Sequence, residues 1–187
     1  MMSRIDQVGA ALGLLLLFLA GAAPALAAPQ PIALFPFELI DTSLAGAVRG
    51  PSAVEQRRLA GLDRQLRAAI AQSGRYRPVD LAAAQDRIAA AGRLADCGSC
   101  AAAIAAAAGA SLALTGTVQK VSELILNINL FLWDAASGRQ LRAMSVDIRG
   151  NTDESWSRGL AYLLRNQLLA ATPRPGDAAP ARLLAQH

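Results

Sequence analysis

Histidine is missing from the interior of this sequence; its single copy, His187, is the last residue. That excludes mechanisms built on an internal imidazole base and any His-rich metal centre. Lysine is nearly as scarce, with Lys120 alone beside 17 arginines. Aromatic residues make up 4% of the chain, too few for a platform that stacks nucleic-acid bases. Two cysteines, Cys97 and Cys100, are the whole thiol inventory. There is no Walker loop, no G-x-S-x-G elbow, no H-E-x-x-H helix and no Rossmann fingerprint. A hydrophobic content of 53% against 17% charged residues excludes a mostly disordered chain. At 187 residues the chain suits one domain with a real core.

What is present points first to export. Residues 1–27 read as a secretory signal peptide: a short n-region with Arg4, the apolar run Ala11–Ala20, and Ala25-Leu26-Ala27 as a cleavage site after Pro24. The apolar run is about ten residues, against the ~20 a spanning helix needs. The alternative is an uncleaved N-terminal anchor. Processing leaves one domain over 28–171 and a Pro/Ala-rich tail over 172–187, with no transmembrane helix. The net charge is +4. The arginine excess accompanies 42 alanines and reads as compositional, so Arg57, Arg58, Arg64 and Arg67 are expected to form a solvated helix face. No nucleic-acid partner is implied.

Periodicity then gives the architecture. Pro31–Ile40 is an apolar run that suits a covered strand, bent or ended near Pro36. Asp41–Gly50 reads as a polar loop. Ser52-x-x-Glu55 is a capping box that opens a helix with the core stripe Leu59, Leu62, Leu66 and Ile70, stopped by Gly74. Arg75–Leu81 is a short strand, Leu81–Ala91 and Ala101–Ala108 are helices, and Ser111–Lys120 is a third strand. Val121–Trp133 alternates strictly: Leu124, Leu126, Ile128, Leu130 and Leu132 face one way, and Ile125, Asn127, Asn129, Phe131 and Trp133 the other. Gln140–Arg149 returns antiparallel with Met144, Val146 and Ile148 inward. A final helix over Asp153–Ala170, capped by Asn151, presents Trp156, Leu160, Leu163, Leu164 and Leu168. The expected fold class is α/β (α+β): a single mixed sheet, order β-α-β-α-α-β-β-β-α, with helices packed on it.

The segments FPFELIDTS (35–43), ADCGSC (95–100), LTGTVQKVSELILNINL (114–130) and VDIRGNTDESW (146–156) resemble an exported bacterial family catalogued as domain of unknown function 3280 or a near neighbour. More distantly, the FPF strand, the long helix and the late strand with Gly109, Ala110, Leu112, Leu114 and Gly116 look like a small α/β domain of envelope proteins. That domain is found in the Tol-Pal propeller protein and in curli-secretion and synthase-activating lipoproteins. The resemblance implies a binding or assembly module rather than an enzyme. The lipoprotein members carry a lipidated cysteine; none stands at the cleavage site here, so anchoring is not implied.

Three constellations remain as candidate sites. Cys97-Gly98-Ser99-Cys100 precedes a helix in an exported chain and reads as a structural disulfide, with a redox pair and a metal site as alternatives. Asp147 through Arg158 is spaced like a calcium loop, but Arg149 and Arg158 put positive charge where oxygen ligands belong, so calcium is rejected. Asn127, Asn129, Trp133, Asp147, Arg149, Asn151 and Asp153 form the candidate recognition surface, where strand polar groups meet a helix N-terminus. Ser145 or Asp147 is expected to satisfy the Asn127 and Asn129 amides across the hairpin.

The functional reading is a non-catalytic periplasmic accessory protein of the cell envelope with a protein partner and no cofactor. A thiol–disulfide redox protein and a small-ligand carrier are the alternatives. N-terminal sequencing of the envelope-extracted protein should begin at or near Ala28; an intact Met1 end would establish the anchor instead.

Overall fold

The computed structural model describes residues 28–50, 52–97 and 99–170. The expected signal peptide over 1–27 and the expected tail over 172–187 lie outside the described residues. Eleven elements follow one another: β1 (Gln30–Leu34), β2 (Glu38–Asp41), α1 (Leu44–Arg49), α2 (Ala53–Gln72), β3 (Tyr76–Pro78), α3 (Gln85–Ala90), α4 (Cys100–Ala107), β4 (Leu112–Lys120), β5 (Ile125–Asp134), β6 (Gln140–Arg149) and α5 (Asp153–Leu163). They build one mixed six-stranded sheet, ordered β3-β1-β4-β5-β6, with β2 also beside β4. The expected fold class is the observed one.

β1 and β2 are one strand broken at Pro36. β1 runs parallel to the first half of β4, with Ile32 opposite Leu112, and β2 runs parallel to its second half, with Asp41 opposite Lys120. Pro36 has no N–H to give a ladder, so the strand breaks there. The break inverts the alternation. Phe35 joins the smaller core with Ala33, while Phe37 joins the larger core with Ile32 and Leu34. The Asp63 carboxylate of α2 accepts the Phe37 N–H at 2.9 Å, which fixes the restart.

Two cores flank the sheet. The larger lies between the sheet and α2 with α5: Leu59, Leu62, Leu66 and Ile70 meet Leu126, Ile128, Leu130, Met144, Ile148, Trp156 and Leu160. The smaller packs α4 and the α3 region on the opposite face, through Leu81, Leu94, Ala101, Ile104, Ala105 and Ala113. Over β5 and β6 that second face carries Asn127, Asn129, Phe131, Ser145, Asp147 and Arg149, none of them fully buried. α5 sits tightly on the first face: a Cβ on Gly159 would lie 2.6 Å from Ile148 Cγ2.

The structure corrects the sequence reading at several points. The loop expected over Asp41–Gly50 contains α1, because the Ser43 side chain accepts the Gly46 N–H and caps a helix. Arg75–Leu81 is strand only over Tyr76–Pro78. The helix expected over Leu81–Ala91 starts as a 3-10 turn, Ala82–Ala84. The strand expected from Val121 begins at Ile125; before it, Ser122 Oγ accepts the N–H groups of Leu124 and Ile125, each at 3.2 Å, and forms a turn. Leu124, expected in the core, is therefore exposed. Thr152, not Asn151, caps α5. The last helix ends its α-winding at Leu163 and finishes in a π-helical turn, Leu164–Leu168.

Trp156 is 1% exposed and its indole N–H donates to Asn151 Oδ1 at 3.0 Å. Trp156→Ala should cost ~3–5 kcal/mol in urea denaturation, the usual range for deleting a buried aromatic. A loss below about 1 kcal/mol would mean that the ring is not part of the core.

Candidate functional site

Lys120 ends β4, and the alternation of that strand turns it to the same side as Leu112, Leu114 and Val118. An ammonium buried among aliphatic side chains is costly unless it is paired. The sequence brings three carboxylates to it from three elements. Glu55 comes from the first turn of α2, Asp41 from the end of β2 and Glu123 from the β4–β5 turn. Their distances to Nζ are 2.7, 3.6 and 2.5 Å. Lys120 is 3% exposed and Glu55 2%.

Glu55 serves twice. One oxygen accepts the Ser52 N–H in the capping box and the other accepts from Lys120. Asn151 extends the cluster: its amide donates to Glu55 at 2.8 Å and to Glu123 at 2.9 Å, while its oxygen accepts from Arg58 and from the Trp156 indole. Arg58 also pairs with Asp153 at 2.7 Å, and its guanidinium stands 5.9 Å from the Trp156 ring centre. Ser43 donates to Asp41 through both its N–H and its hydroxyl. One network thus ties β2, α1, α2, β4, the β4–β5 turn and the N-terminus of α5 together.

The electrostatics follow from these contacts. Burial opposes the Lys120 charge, but its hydrogen bonds to Glu123 and Glu55 outweigh it and raise the pKa above the usual lysine value. The hydrogen bonds from Lys120 and then Asn151 hold the Glu123 carboxyl below its ordinary value. Burial pushes Asp41 up, yet the two Ser43 hydrogen bonds and the Lys120 charge bring it below its ordinary value.

Around this cluster the surface is apolar. Leu44 is 84%, Val48 77% and Leu124 71% exposed, and Val121 and Ile125 are also exposed. Ser43, Leu44, Ala45, Val48, Val121, Ser122 and Glu123 line an open concavity of about 560 Å³ between α1 and the β4–β5 turn. A group of exposed large hydrophobics is the kind of surface that marks an interaction site on a soluble protein.

The seven residues of the expected recognition surface fall into two groups. Asn127, Asn129, Trp133, Asp147 and Arg149 share the second sheet face. There Asn127 donates to Asp147 at 2.8 Å and accepts from Ser145 at 3.0 Å. Asn129 turns instead to Thr117, at 3.3 Å, and the Trp133 indole donates to Thr115 at 3.2 Å. Asn151 and Asp153 lie on the α2–α5 side, inside the Lys120 network. Sequence reading missed Lys120, Glu55, Asp41, Glu123 and the apolar residues of α1. The signal was there in part: Lys120 is the single lysine, and it sits at an inward position of an apolar strand.

Cys97 and Cys100 are joined in a disulfide. The 3-10 turn just before it, Leu94–Asp96, is held to the sheet by Glu38, whose carboxylate accepts the N–H groups of Leu94 and Ala95 at 2.7 and 2.8 Å. Among the described residues, no group of three or more His, Cys, Asp or Glu is placed to hold a metal ion, and no helix is long and apolar enough to cross a membrane.

Residues 30–168 match the family DUF3280, described as "Protein of unknown function (DUF2380)". The chain belongs to this family. No curated protein matches it. Among solved structures, the DUF3280 chain is similar to the LpoB C-terminal domain from Salmonella enterica, with 15% identity, 67% of this chain and 87% of that one covered, and a TM-score of 0.47. It is similar to lipoprotein GNA1162 from Neisseria meningitidis, with 18% identity, coverage of 78% and 100%, and a TM-score of 0.49. Likeness to TolB from Acinetobacter baumannii is weaker: 14% identity, coverage of 73% and 28%, and a TM-score of 0.35. At these identities and scores the likenesses assign no activity to the DUF3280 chain.

The charge cluster makes a stability prediction. Asp41 and Glu123 have lowered pKa values, so their contribution is present above the ordinary carboxylate range near pH 4 and is lost as pH falls through the lower folded values. Lys120 has a raised value, so its contribution is complete below about pH 10.5 and is lost as pH rises through the folded value. Lys120→Met should cost ~3–5 kcal/mol in urea at pH 7, because it leaves Glu55 buried without its cation. Adding Glu55→Leu should recover part of that loss. Equal stability of wild type and Lys120→Met would contradict the pairing.

Proposed function

We propose that this DUF3280 protein is an exported, non-catalytic accessory protein of the cell envelope that works by holding a protein partner. The observation that supports this most is the apolar end of the sheet: Leu44 and Val48 share a concavity with Val121, Leu124 is exposed on the same turn, and an internally paired charge cluster lies beside them. Lys120, Glu55 and Asn151 satisfy one another, which suits a fixed surface better than proton transfer to a substrate. The rim of the apolar end carries the exposed carboxylate Glu123. The partner that fits is a protein presenting an apolar knob flanked by a cationic side chain. The signal-peptide composition of residues 1–27 supports export to the periplasm.

The test is site-specific photo-crosslinking in the producing cell. A photoreactive residue at Leu44 or Leu124 should give a discrete adduct heavier than the chain, and one at Arg87 on α3 should not. Val48→Asp should remove the adduct without lowering the melting temperature. No adduct at either apolar position, or equal adducts at Arg87, would overturn the reading.

A further inference from the structure

The two edges of the sheet are built differently. β3 is three residues long and ends in Pro78, which cannot donate to another strand. β6 is ten residues long, contains neither proline nor glycine and, among the described residues, has only β5 beside it in the sheet. A long regular edge is what natural sheets ordinarily shorten, kink or cover.

Its outward groups are identifiable. The Gly150 N–H donates to Leu124, toward β5, and the Ser145 carbonyl faces outward, where the Gln167 amide approaches at 3.5 Å. Antiparallel pairing alternates direction at each residue. Ala143, Ser145, Asp147 and Arg149 therefore turn their N–H and C=O groups away from the sheet. Beside them, between β6 and α5, runs an open groove of about 580 Å³ with Val146, Ile148, Gly159 and Tyr162 among its lining residues.

Charge selects the occupant. Arg149, Arg158 and Arg165 line the groove together with Asp147 and Glu154. Glu154 is taken by Arg158 at 3.1 Å, and Asp147 accepts from Asn127. Arg149 and Arg165 form no ion pair among the described residues. We propose that β6 accepts an extended acidic peptide segment of another protein as an added strand. Backbone hydrogen bonds would form to Ala143, Ser145, Asp147 and Arg149, apolar side chains would enter the groove, and acidic side chains on the opposite face of the added strand would meet Arg149. This surface is the side edge of the sheet, distinct from its apolar end, so its test stands or falls apart from the crosslinking experiment.

The experiment titrates the full chain with a ten-residue peptide of alternating valine and glutamate, and follows amide exchange by NMR. Saturating peptide should slow exchange at least tenfold at Ser145, Asp147 and Arg149, and much less at Met144, Val146 and Ile148, which already face β5. Arg149→Glu should weaken binding at least tenfold with an unchanged melting curve. A valine–lysine peptide should bind the wild type at least tenfold more weakly than the glutamate one. Equal binding of the two peptides, or binding without that alternating protection, would overturn the proposal. So would the same protection arising without peptide as protein concentration rises, which would make a second copy of this chain the occupant.

Discussion

Everything at one end of this fold depends on a single buried ammonium. Lys120 cannot leave the helix-covered side of the sheet without breaking the alternation that buries Leu114 and Val118. It cannot stay there without anions. Glu55 and Asp41 supply two of them from a helix and a strand distant in sequence, and Glu123 supplies the third from the turn that follows Lys120. The requirement fixes where α2 starts, where β2 ends and how the β4–β5 turn is shaped. Through Asn151 it also fixes the entry of α5 and the position of Trp156. A buried ion pair is weak evidence for net stability, since a well-packed apolar replacement often does as well. Its stronger consequence is specificity: four segments meet in one register.

That shared pairing gives the neighbouring surface its character. α1 is six residues long and presents Leu44 and Val48 outward, held by Ser43 and Asp41 to the same cluster. Asp41 also leaves no room for a side chain at Gly46, so the helix lies close against the strand end. Apolar side chains on an otherwise polar surface, supported from beneath by a paired charge network in which only Asp41 Oδ2 lacks a hydrogen bond among the described residues, form a preorganised contact. Such a contact loses little side-chain entropy on binding.

The parts of the sequence that were legible are those with one dominant period. The β5 alternation, the α2 stripe with its capping box and the Gly109 stop between α4 and β4 read correctly because local pattern and tertiary burial agree. α1 was hidden because its apolar residues face solvent and leave no inward stripe. Leu124 continues the β5 pattern in sequence, but Ser122 captures the backbone before it and the strand starts one residue later, at Ile125. Asn151 has the chemistry of a cap, yet its side-chain oxygen, the atom a cap would use, accepts from Arg58 and the Trp156 indole, and Thr152 takes the capping role. The ion cluster needed long-range partners that spacing does not reveal. Only the oddity of one lysine among so many arginines pointed to it. The cross-strand partner of Asn127 was readable from the hairpin register, whereas Asn129 turned to Thr117 on the other neighbour.

The single lysine also makes the central claim directly measurable. With lysine labelled by nitrogen-15, the protein gives one side-chain ammonium resonance. If Lys120 is enclosed by Glu55, Glu123 and Asp41, its protons should exchange slowly enough with water to be seen at neutral pH. The nitrogen should then titrate above the ordinary lysine value of about 10.4, and Glu55→Gln should speed the exchange. A resonance lost to rapid exchange at neutral pH, with an ordinary titration that Glu55→Gln leaves unchanged, would contradict the account.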